Sequence, residues 1–213
     1  PWRIAAGLLK QAFGDNWEEI ARSLDIIPRG TNVANLGSLL KSRNFSPYTS
    51  SCGRLFDAVA VLLGCSAEVH FEGQAAMEME NLASESGARD ILPYRVLQEE
   101  TLKMDFVPAI QAIVEMRQKG VPVRDLAASF HLTLVDAFLH ISEGIRKDRG
   151  LNRVALSGGC FQNQLLLSGS ISNLEHLEFQ VYTQTMLPVN DGGIALGQAI
   201  SAAERVCSDP SCH

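Results

Sequence analysis

The stretch "VALSGGCFQNQLLL", Val154–Leu167, decides the fold class of this chain. Its apolar start is typical of a β-strand, and after a serine and two glycines it continues as a leucine-rich segment with helical character. A second run, "FQVYTQT" at 179–185, is rich in β-branched and aromatic residues and predicts another strand. A strand, a helix and a strand in this order form a right-handed crossover, so the two strands are expected to be parallel. The sequence therefore predicts an α/β fold.

The residues before this unit predict a helix-rich region, because apolar side chains recur there at three- and four-residue spacing. Ser51 is expected to cap one of these helices. The segment Ser84–Leu97 is expected to be a loop or insertion with a short strand near Tyr94. The predicted helices are Trp2–Phe13, a short helix through Glu19 and Ile20, Thr31–Leu40, residues 51–64, the segment after Gly73, Asp105–Gln118, Val123–Lys147, residues 161–177 and a closing helix at 193–206.

The composition excludes several classes of protein. The chain has 213 residues, of which 46% are hydrophobic, and its net charge of −6 argues against a nucleic-acid-binding surface. No apolar run reaches the roughly 18 residues that a membrane span needs. Five scattered cysteines without C-x-x-C spacing argue against a zinc ribbon or a disulfide framework and favour reduced thiols in the cytoplasm. Because the chain begins at Pro1 without a methionine, we expect it to be a piece of a longer protein.

The glycine turn after the first predicted strand has two interpretations. Gly158 and Gly159 precede a helix, where free backbone N–H groups can bind an anion, but a glycine pair is also the ordinary way to form a tight turn. Asn163, one turn later, can cap the helix or reach a ligand hydroxyl. Cys160 can be a nucleophile or a small packed residue. Packing is favoured, because no pattern places a histidine base beside it.

Three carboxylates are also candidates for a ligand or metal site, and each has an ordinary structural interpretation beside the functional one. Asp57 lies in the apolar segment "GRLFDAVAVLLG", so it is either solvated at the helix edge or partly buried with a partner, of which a ribose diol is one. Glu72, before Gly73, raises the same question. Asp191 lies in "NDGG" at a helix start, where it can cap the helix or bind a metal ion.

Five stretches in this order resemble one family. They are "PWR", "TSSCGRLFDAVAVLLG", "FEGQAAMEMENLA", "VALSGGCFQNQLLL" and "LPVNDGGIALGQA". From Pro1 to about Ala203 the chain resembles the C-terminal end of the hydrogenase maturation carbamoyltransferases, the HypF family, which is related to the tRNA threonylcarbamoyltransferases of the TsaD family. The resemblance implies the helix-rich second lobe of an actin-like ATPase (ASKHA, TsaD-like) α/β fold. It also implies that residues 1–206 are this lobe, that 207–213 are a flexible tail, and that the first lobe and upstream domains are absent.

The resemblance assigns a nucleotide site to the first half of the chain. In the tRNA-modifying relatives, the aspartate of a "G-x-x-F-D-x-x-A-x-L-L-G" helix holds the ribose, and Asp57 matches it. Their "Y-P-G-G-P" segment contributes a backbone contact. Here Glu72, Gly73 and Gln74 take that place with altered chemistry.

The resemblance assigns the other wall of this site to the second half. The relatives' "S-G-G-V-x-x-N" turn matches Gly158, Gly159 and Asn163, with Cys160 in place of the usual valine. Their late metal-binding aspartate matches Asp191. The implied metal is one divalent ion (zinc, iron or magnesium), which is completed by histidines outside this chain.

The implied function is carbamoyl transfer. In the family, an upstream domain makes carbamoyl-adenylate from carbamoyl phosphate and ATP. The domain represented here then passes the carbamoyl group to the C-terminal cysteine of a HypE-type partner, and that thiocarbamate becomes the cyanide ligand of the nickel–iron hydrogenase centre. Because the nucleophile belongs to the partner, we expect no catalytic residue in this chain. Because the rest of its own full-length chain is missing, we expect it to be inactive alone.

Two alternatives keep the fold but change the role. One is a lobe of an O-carbamoyltransferase or of a tRNA threonylcarbamoyltransferase, although the acidic balance disfavours tRNA as the acceptor. The other is a non-catalytic lobe that docks the maturation partner. Neither nucleic acid nor a membrane is expected as a partner.

Overall fold

The computed structural model describes residues 1–207 and divides into two compact units, Pro1–Glu143 and the residues from Gly144 onward. All but the first residue of the predicted tail, 207–213, lies outside the described residues. No helix in the described part of the chain is both long and apolar enough to span a bilayer.

The first unit is mainly helical, as its apolar spacing predicted. Its helices are α1 (Trp2–Phe13), α2 (Trp17–Ser23), α3 (Val33–Lys41), α4 (Cys52–Leu62), α5 (Gln74–Ser84), α6 (Val107–Gln118) and α7 (Val123–Arg149), the last of which runs past Glu143. Ser51 begins α4 as predicted, because its Oγ accepts a hydrogen bond from the Arg54 N–H at 3.3 Å.

The core of the first unit lies where α1, α4 and α6 pack against one another. Its large side chains are fully buried, among them Phe56 of α4 and Phe130 of α7. The two phenyl rings meet edge to face, with centroids 5.5 Å apart. Residues 58–62 of α4 are all buried, whereas Asp57 lies in the more accessible first half of the helix.

A short hairpin interrupts the helices of the first unit. Strand β1 (Arg95–Gln98) pairs antiparallel with β2 (Leu102–Asp105), with Arg95 opposite Asp105. The strand near Tyr94 was expected, but β2 was not. Asp105 ends β2 rather than beginning a helix, and its Oδ1 accepts the N–H of Val107 at the start of α6.

Polar side chains attach this hairpin segment to α7. The Tyr94 hydroxyl donates to Asp136 Oδ2 at 2.6 Å and lies 2.5 Å from His140 Nδ1. Asp136 and His140 are one turn apart on α7. Burial, followed by the hydrogen bond to Asp136, raises the pKa of Tyr94. This cluster holds the residues before β1 against the middle of the helix.

The second unit contains the predicted crossover. Strand β3 (Arg153–Leu156) runs parallel to β4 (Gln180–Thr183), with α8 (Gln164–His176) between them in sequence and α9 (Ile194–Cys207) after them. The parallel pairing confirms the prediction. The helix after the glycine turn begins at Gln164 rather than at residue 161, because Gly159–Gln162 forms a 3₁₀ turn.

Candidate functional site

The eight predicted site residues fall into two groups, one in each unit. Asp57 and Glu72–Gln74 belong to the first unit. Gly158, Gly159, Asn163 and Asp191 belong to the second.

Asp57 is partly buried and has an ion-pair partner. Its side chain is 15% exposed, and Oδ2 lies 3.1 Å from Arg54 Nη1 one turn earlier on α4. The interpretation of a solvated edge residue is therefore wrong. Within residues 1–207, no hydrogen bond reaches Asp57 Oδ1. That oxygen remains able to accept a hydrogen bond from a ligand.

Arg54 is the residue that sequence reasoning missed at this position. It lies three residues before Asp57, and side chains at this spacing are neighbours on a helix surface. More than half of the Arg54 side chain is exposed, so its contribution to stability is small. Its guanidinium places a positive charge beside the carboxylate, which also favours an anionic ligand nearby.

Gly73 adopts a backbone conformation that favours glycine. Its φ is +80°, and it stands immediately before α5 with no side-chain cap. A Cβ there would meet nothing within 4 Å, so the requirement for glycine comes from φ and not from crowding. Glu72 beside it is exposed. The turn therefore presents backbone N–H groups at the start of a helix of three turns.

Gln74 uses both ends of its amide within the first unit. Its Oε1 accepts the N–H of His70, and its Nε2 donates to Glu78 Oε1, each at 2.9 Å. Glu78 also accepts from the N–H and the hydroxyl of Ser66, at 2.8 and 2.9 Å. The hydrogen bond from the Ser66 backbone is the first cause of the lowered pKa of Glu78. The Gln74 N–H also donates to the Phe71 carbonyl at 3.4 Å, so this network uses both the side chain and the backbone N–H of Gln74 to fix the loop before α5.

The glycine turn of the second unit lies beside the loop that carries Asp191. The Gly158 N–H donates to the Val189 carbonyl at 3.0 Å, and a Cβ on Gly159 would stand 4.0 Å from that of Asn190. Gly158 has φ +106° and ψ 155°, a region that is open essentially only to glycine. The structure therefore brings these two predicted elements together within one unit.

Asn163 caps α8. Its side chain is buried, and Oδ1 accepts the N–H of Leu166 at 2.9 Å. The capping interpretation is confirmed, whereas contact with a ligand stays a prediction. Cys160, in the preceding turn, is half-buried and forms no disulfide.

Asp191 is exposed and makes no capping hydrogen bond among the described residues. The neighbouring Asn190 caps the 3₁₀ turn Asp191–Gly193 that precedes α9, with Oδ1 accepting the Gly192 N–H at 3.1 Å. The capping interpretation of Asp191 is therefore wrong. A Cβ at Gly193 would lie 2.9 Å from the Pro188 carbonyl oxygen, so this loop needs glycine there. The exposed carboxylate is thus carried by a tightly constrained loop.

The residues present do not complete a metal site. Among the residues that the structure describes, no group of three or more His, Cys, Asp or Glu side chains could hold a metal ion. Asp191 supplies one hard oxygen ligand, whereas divalent ions in proteins take four or more ligands. A metal at this position would require ligands from elsewhere.

Comparison with known proteins gives a consistent result. The family model for the second subdomain of the Kae1-like domain of carbamoyltransferases matches residues 1–198. Carbamoyltransferase HypF of Synechocystis sp. is 36% identical over an alignment that covers 97% of this chain and 28% of that protein. Carbamoyltransferase HypF of Rhizobium leguminosarum bv. viciae is 33% identical, over 98% of this chain and 26% of the relative.

A solved structure is also similar. A full-length HypF in the phosphate- and nucleotide-bound form superposes with a TM-score of 0.84 at 34% sequence identity. The match covers 97% of this chain and 27% of that one. The chain therefore spans roughly a quarter of the length of the proteins that it matches.

Proposed function

Because the chain belongs to the HypF carbamoyltransferase family, as the second subdomain of its Kae1-like domain, we propose that it forms one lobe of a carbamoyl-transferring enzyme. Membership also confirms the expected fold class, the helix-rich second lobe of an actin-like α/β ATPase fold. The proposed boundaries of the lobe are residues 1–206. The complete activity is proposed for the longer cytoplasmic protein, because the chain matches only about a quarter of its relatives.

The proposed ligand of the lobe is the nucleotide of carbamoyl-adenylate. The observation that carries this proposal is the state of Asp57, which is partly buried, paired with Arg54 through Oδ2 and unpaired at Oδ1 among the described residues. Such a carboxylate can accept ribose hydroxyls while Arg54 faces the nearby phosphate. The similar full-length HypF was solved in a phosphate- and nucleotide-bound form, which supports this ligand class.

The other proposed contacts are mainly from the backbone. In the first unit, Glu72 and Gly73 precede α5 and Gln74 begins it, so the proposed contacts there are at the N-terminus of this helix. In the second unit, Gly158, Gly159 and Asn163 form the turn before α8. Each of the two turns is proposed to contact the nucleotide, independently of the other.

The proposed reaction is acyl transfer to sulfur. The bond between the carbamoyl carbon and the adenylate oxygen breaks, and AMP leaves with the electron pair. A bond forms between that carbon and the sulfur of a C-terminal cysteine on a HypE-type partner, whose thiol proton is lost to solvent or base. The lobe holds the nucleotide so that the carbonyl is oriented toward the incoming thiolate. The thiocarbamate formed would be the precursor of the cyanide ligand of a nickel–iron centre.

The proposal includes a metal ion, to which this chain contributes one ligand. Asp191 is proposed to contribute a carboxylate to a divalent ion whose other ligands are histidines outside this chain. When bound, such an ion would polarise a carbonyl or phosphate oxygen. Since Asp191 alone does not form a site, no step is derived through the ion.

Substitution of Asp57 tests the nucleotide site. In the longer protein, Asp57→Asn should weaken AMP binding at least about tenfold, because a charged acceptor is replaced by a neutral one. Asp15→Asn, at an exposed carboxylate of the same unit, is the matched control and should bind AMP unchanged. Isothermal titration calorimetry measures both affinities, and transfer of labelled carbamoyl to the partner's tail measures the activity. Unchanged AMP binding by Asp57→Asn would contradict the proposed nucleotide site. If the lobe did not bind AMP through Asp57 but still bound the partner's C-terminal tail, it would be a non-catalytic docking lobe.

A further inference from the structure

Two ion pairs of the first unit join an arginine that is more than half exposed to a carboxylate that is only 15% exposed. Arg95 and Asp105 form one of them across the hairpin, and Arg54 and Asp57 form the other on α4. In the hairpin pair, Nε and Nη2 of the arginine both donate to Asp105 Oδ2, and Asp105 Oδ1 accepts the N–H of Val107. Both oxygens of that carboxylate are therefore occupied within the chain.

The pair on α4 uses much less of its hydrogen-bonding capacity. A single nitrogen of Arg54, Nη1, donates to Asp57 Oδ2 at 3.1 Å, and Asp57 Oδ1 accepts no hydrogen bond from the described residues. Within residues 1–207, the Nε and Nη2 atoms of Arg54 donate to no other group. A carboxylate that is largely removed from water normally has its oxygens satisfied by hydrogen bonds. This pair can therefore take a ligand that carries both hydroxyl donors and an anionic group.

The charges of the pair favour a ligand with a phosphate beside its ribose. A carboxylate that binds the ribose diol places a negative charge one sugar ring away from a 5′-phosphate, and the two anions repel each other. In the described part of the chain, Arg54 is the one basic side chain that pairs with Asp57. Because its side chain is more than half exposed, its flexible stem can carry the guanidinium from the carboxylate to a nearby phosphate, whose geometry it matches.

We propose that Arg54 exchanges partners when the nucleotide binds, an inference that rests on the nucleotide site proposed above. The guanidinium leaves Asp57 Oδ2 and pairs with the 5′-phosphate through two parallel N–H donors. Both oxygens of Asp57 then accept hydrogen bonds from the 2′- and 3′-hydroxyls of the ribose. Arg54 thereby makes the site selective for a 5′-phosphorylated nucleoside, because a nucleoside without the phosphate leaves Oδ2 in the ion pair.

Binding of AMP and of adenosine to the longer protein tests this exchange. In Arg54→Met the phosphate loses its charged partner, whereas Asp57 gains a free oxygen for the ribose. We therefore expect AMP to bind at least about tenfold more weakly than to the unsubstituted protein, and adenosine to bind no more weakly. An arginine that only held Asp57 in position would instead weaken both ligands alike when removed. Isothermal titration calorimetry at constant ionic strength measures the affinities.

Two further variants make the test specific. Arg54→Lys keeps the positive charge but not the planar fork, so it should retain part of the preference for AMP over adenosine. Arg22 forms an exposed ion pair with Glu18, one turn earlier on α2. Arg22→Met therefore removes a comparable charge from the same unit, and both ligands should bind to it with unchanged affinity.

The outcomes separate the exchange from the nucleotide site on which it rests. The exchange is wrong, and the site stands, if Asp57→Asn weakens AMP binding but Arg54→Met changes the affinities for AMP and adenosine by the same factor or not at all. If neither Asp57→Asn nor Arg54→Met weakens the binding of AMP, the nucleotide site is wrong and the exchange with it.

Discussion

The two units differ in how completely they bury their apolar side chains. In the first unit, helices on several sides enclose large residues such as Leu9, Phe56 and Phe130, which are 0 to 1% exposed. In the second, every residue of α9 from 194 to 205 is exposed, including Ile194, Leu196 and Ile200. Its buried apolar side chains among the described residues are Leu156, Leu166, Leu174 and Phe179.

This difference indicates where stability resides. A parallel pair of strands is normally covered on both faces and extended by further strands. Most side chains of β3 and β4 are exposed or half-buried among the described residues. The first unit therefore has a core of its own, and we expect the second to be stabilised by other parts of the longer protein.

Amide hydrogen exchange should show the largest difference between the units. The amides of α4 lie in a buried helix and should exchange only when the unit unfolds, whereas those of α9 need only local opening. We expect α4 to exchange at least about a thousandfold more slowly than α9. Mass spectrometry of deuterium uptake by the 213-residue chain measures both. Equal protection in the two helices would remove the distinction between the units.

Truncation of one buried phenyl ring in each unit gives the next largest effect. Phe56→Ala should lower the free energy of unfolding by about 4 kcal/mol, because it leaves a cavity beside Phe130. Phe179→Ala should cost about 2 kcal/mol, since Arg146 covers one side of that ring and the sheet beside it is exposed. Urea denaturation followed by circular dichroism measures both, and equal losses would show that the second unit is as tightly packed as the first.

The fold was largely predictable wherever the signal was long or had a defined cap. Helix α7 repeats its apolar spacing over many turns, and Ser51 is a typical cap for α4. Strand β2 was missed because it is four residues long and buries neither face fully, so no alternation marks it. The parallel crossover was found because the order strand, helix, strand permits few other arrangements.

The site was less predictable than the fold. Arg54 beside Asp57 follows from helical spacing and could have been found in advance. That Asn190 rather than Asp191 forms the capping hydrogen bond could not have been found in advance, because adjacent Asn and Asp are equally good caps. The contact of the glycine turn with the Asp191 loop depends on a hydrogen bond from Gly158 to Val189, which joins residues that are distant in sequence. Local patterns carry no information about such a pairing.

Alanine substitution at one glycine of each unit sharpens the comparison at the candidate site. Gly158→Ala should lower the free energy of unfolding by about 2 kcal/mol, because φ +106° with ψ 155° is strained for any residue with a side chain. Gly73→Ala should cost about 1 kcal/mol, since φ +80° lies near the left-handed helical region. Neither Cβ would clash, so both costs come from the backbone alone. Urea denaturation measures them. A smaller cost at Gly158 than at Gly73 would mean that the second unit relaxes around the change.

The smallest expected effect is the dependence of stability on Cys65. Burial, followed by the charge of Glu78, raises the pKa of this thiol from its usual 9.0 to about 11. Between these values the folded chain binds more protons than the unfolded chain, so the free energy of unfolding falls as the pH rises from about 9 to 11. Because the thiol is only partly buried, the loss should be about 1 kcal/mol rather than the full linkage value. Cys65→Ala removes this contribution but leaves those of tyrosine and lysine, so the difference between the two pH profiles isolates the thiol. If the free energy of unfolding changed with pH in the same way in both proteins, the Cys65 thiol would be open to solvent. The loop between α4 and α5 would then be packed no more tightly than the second unit.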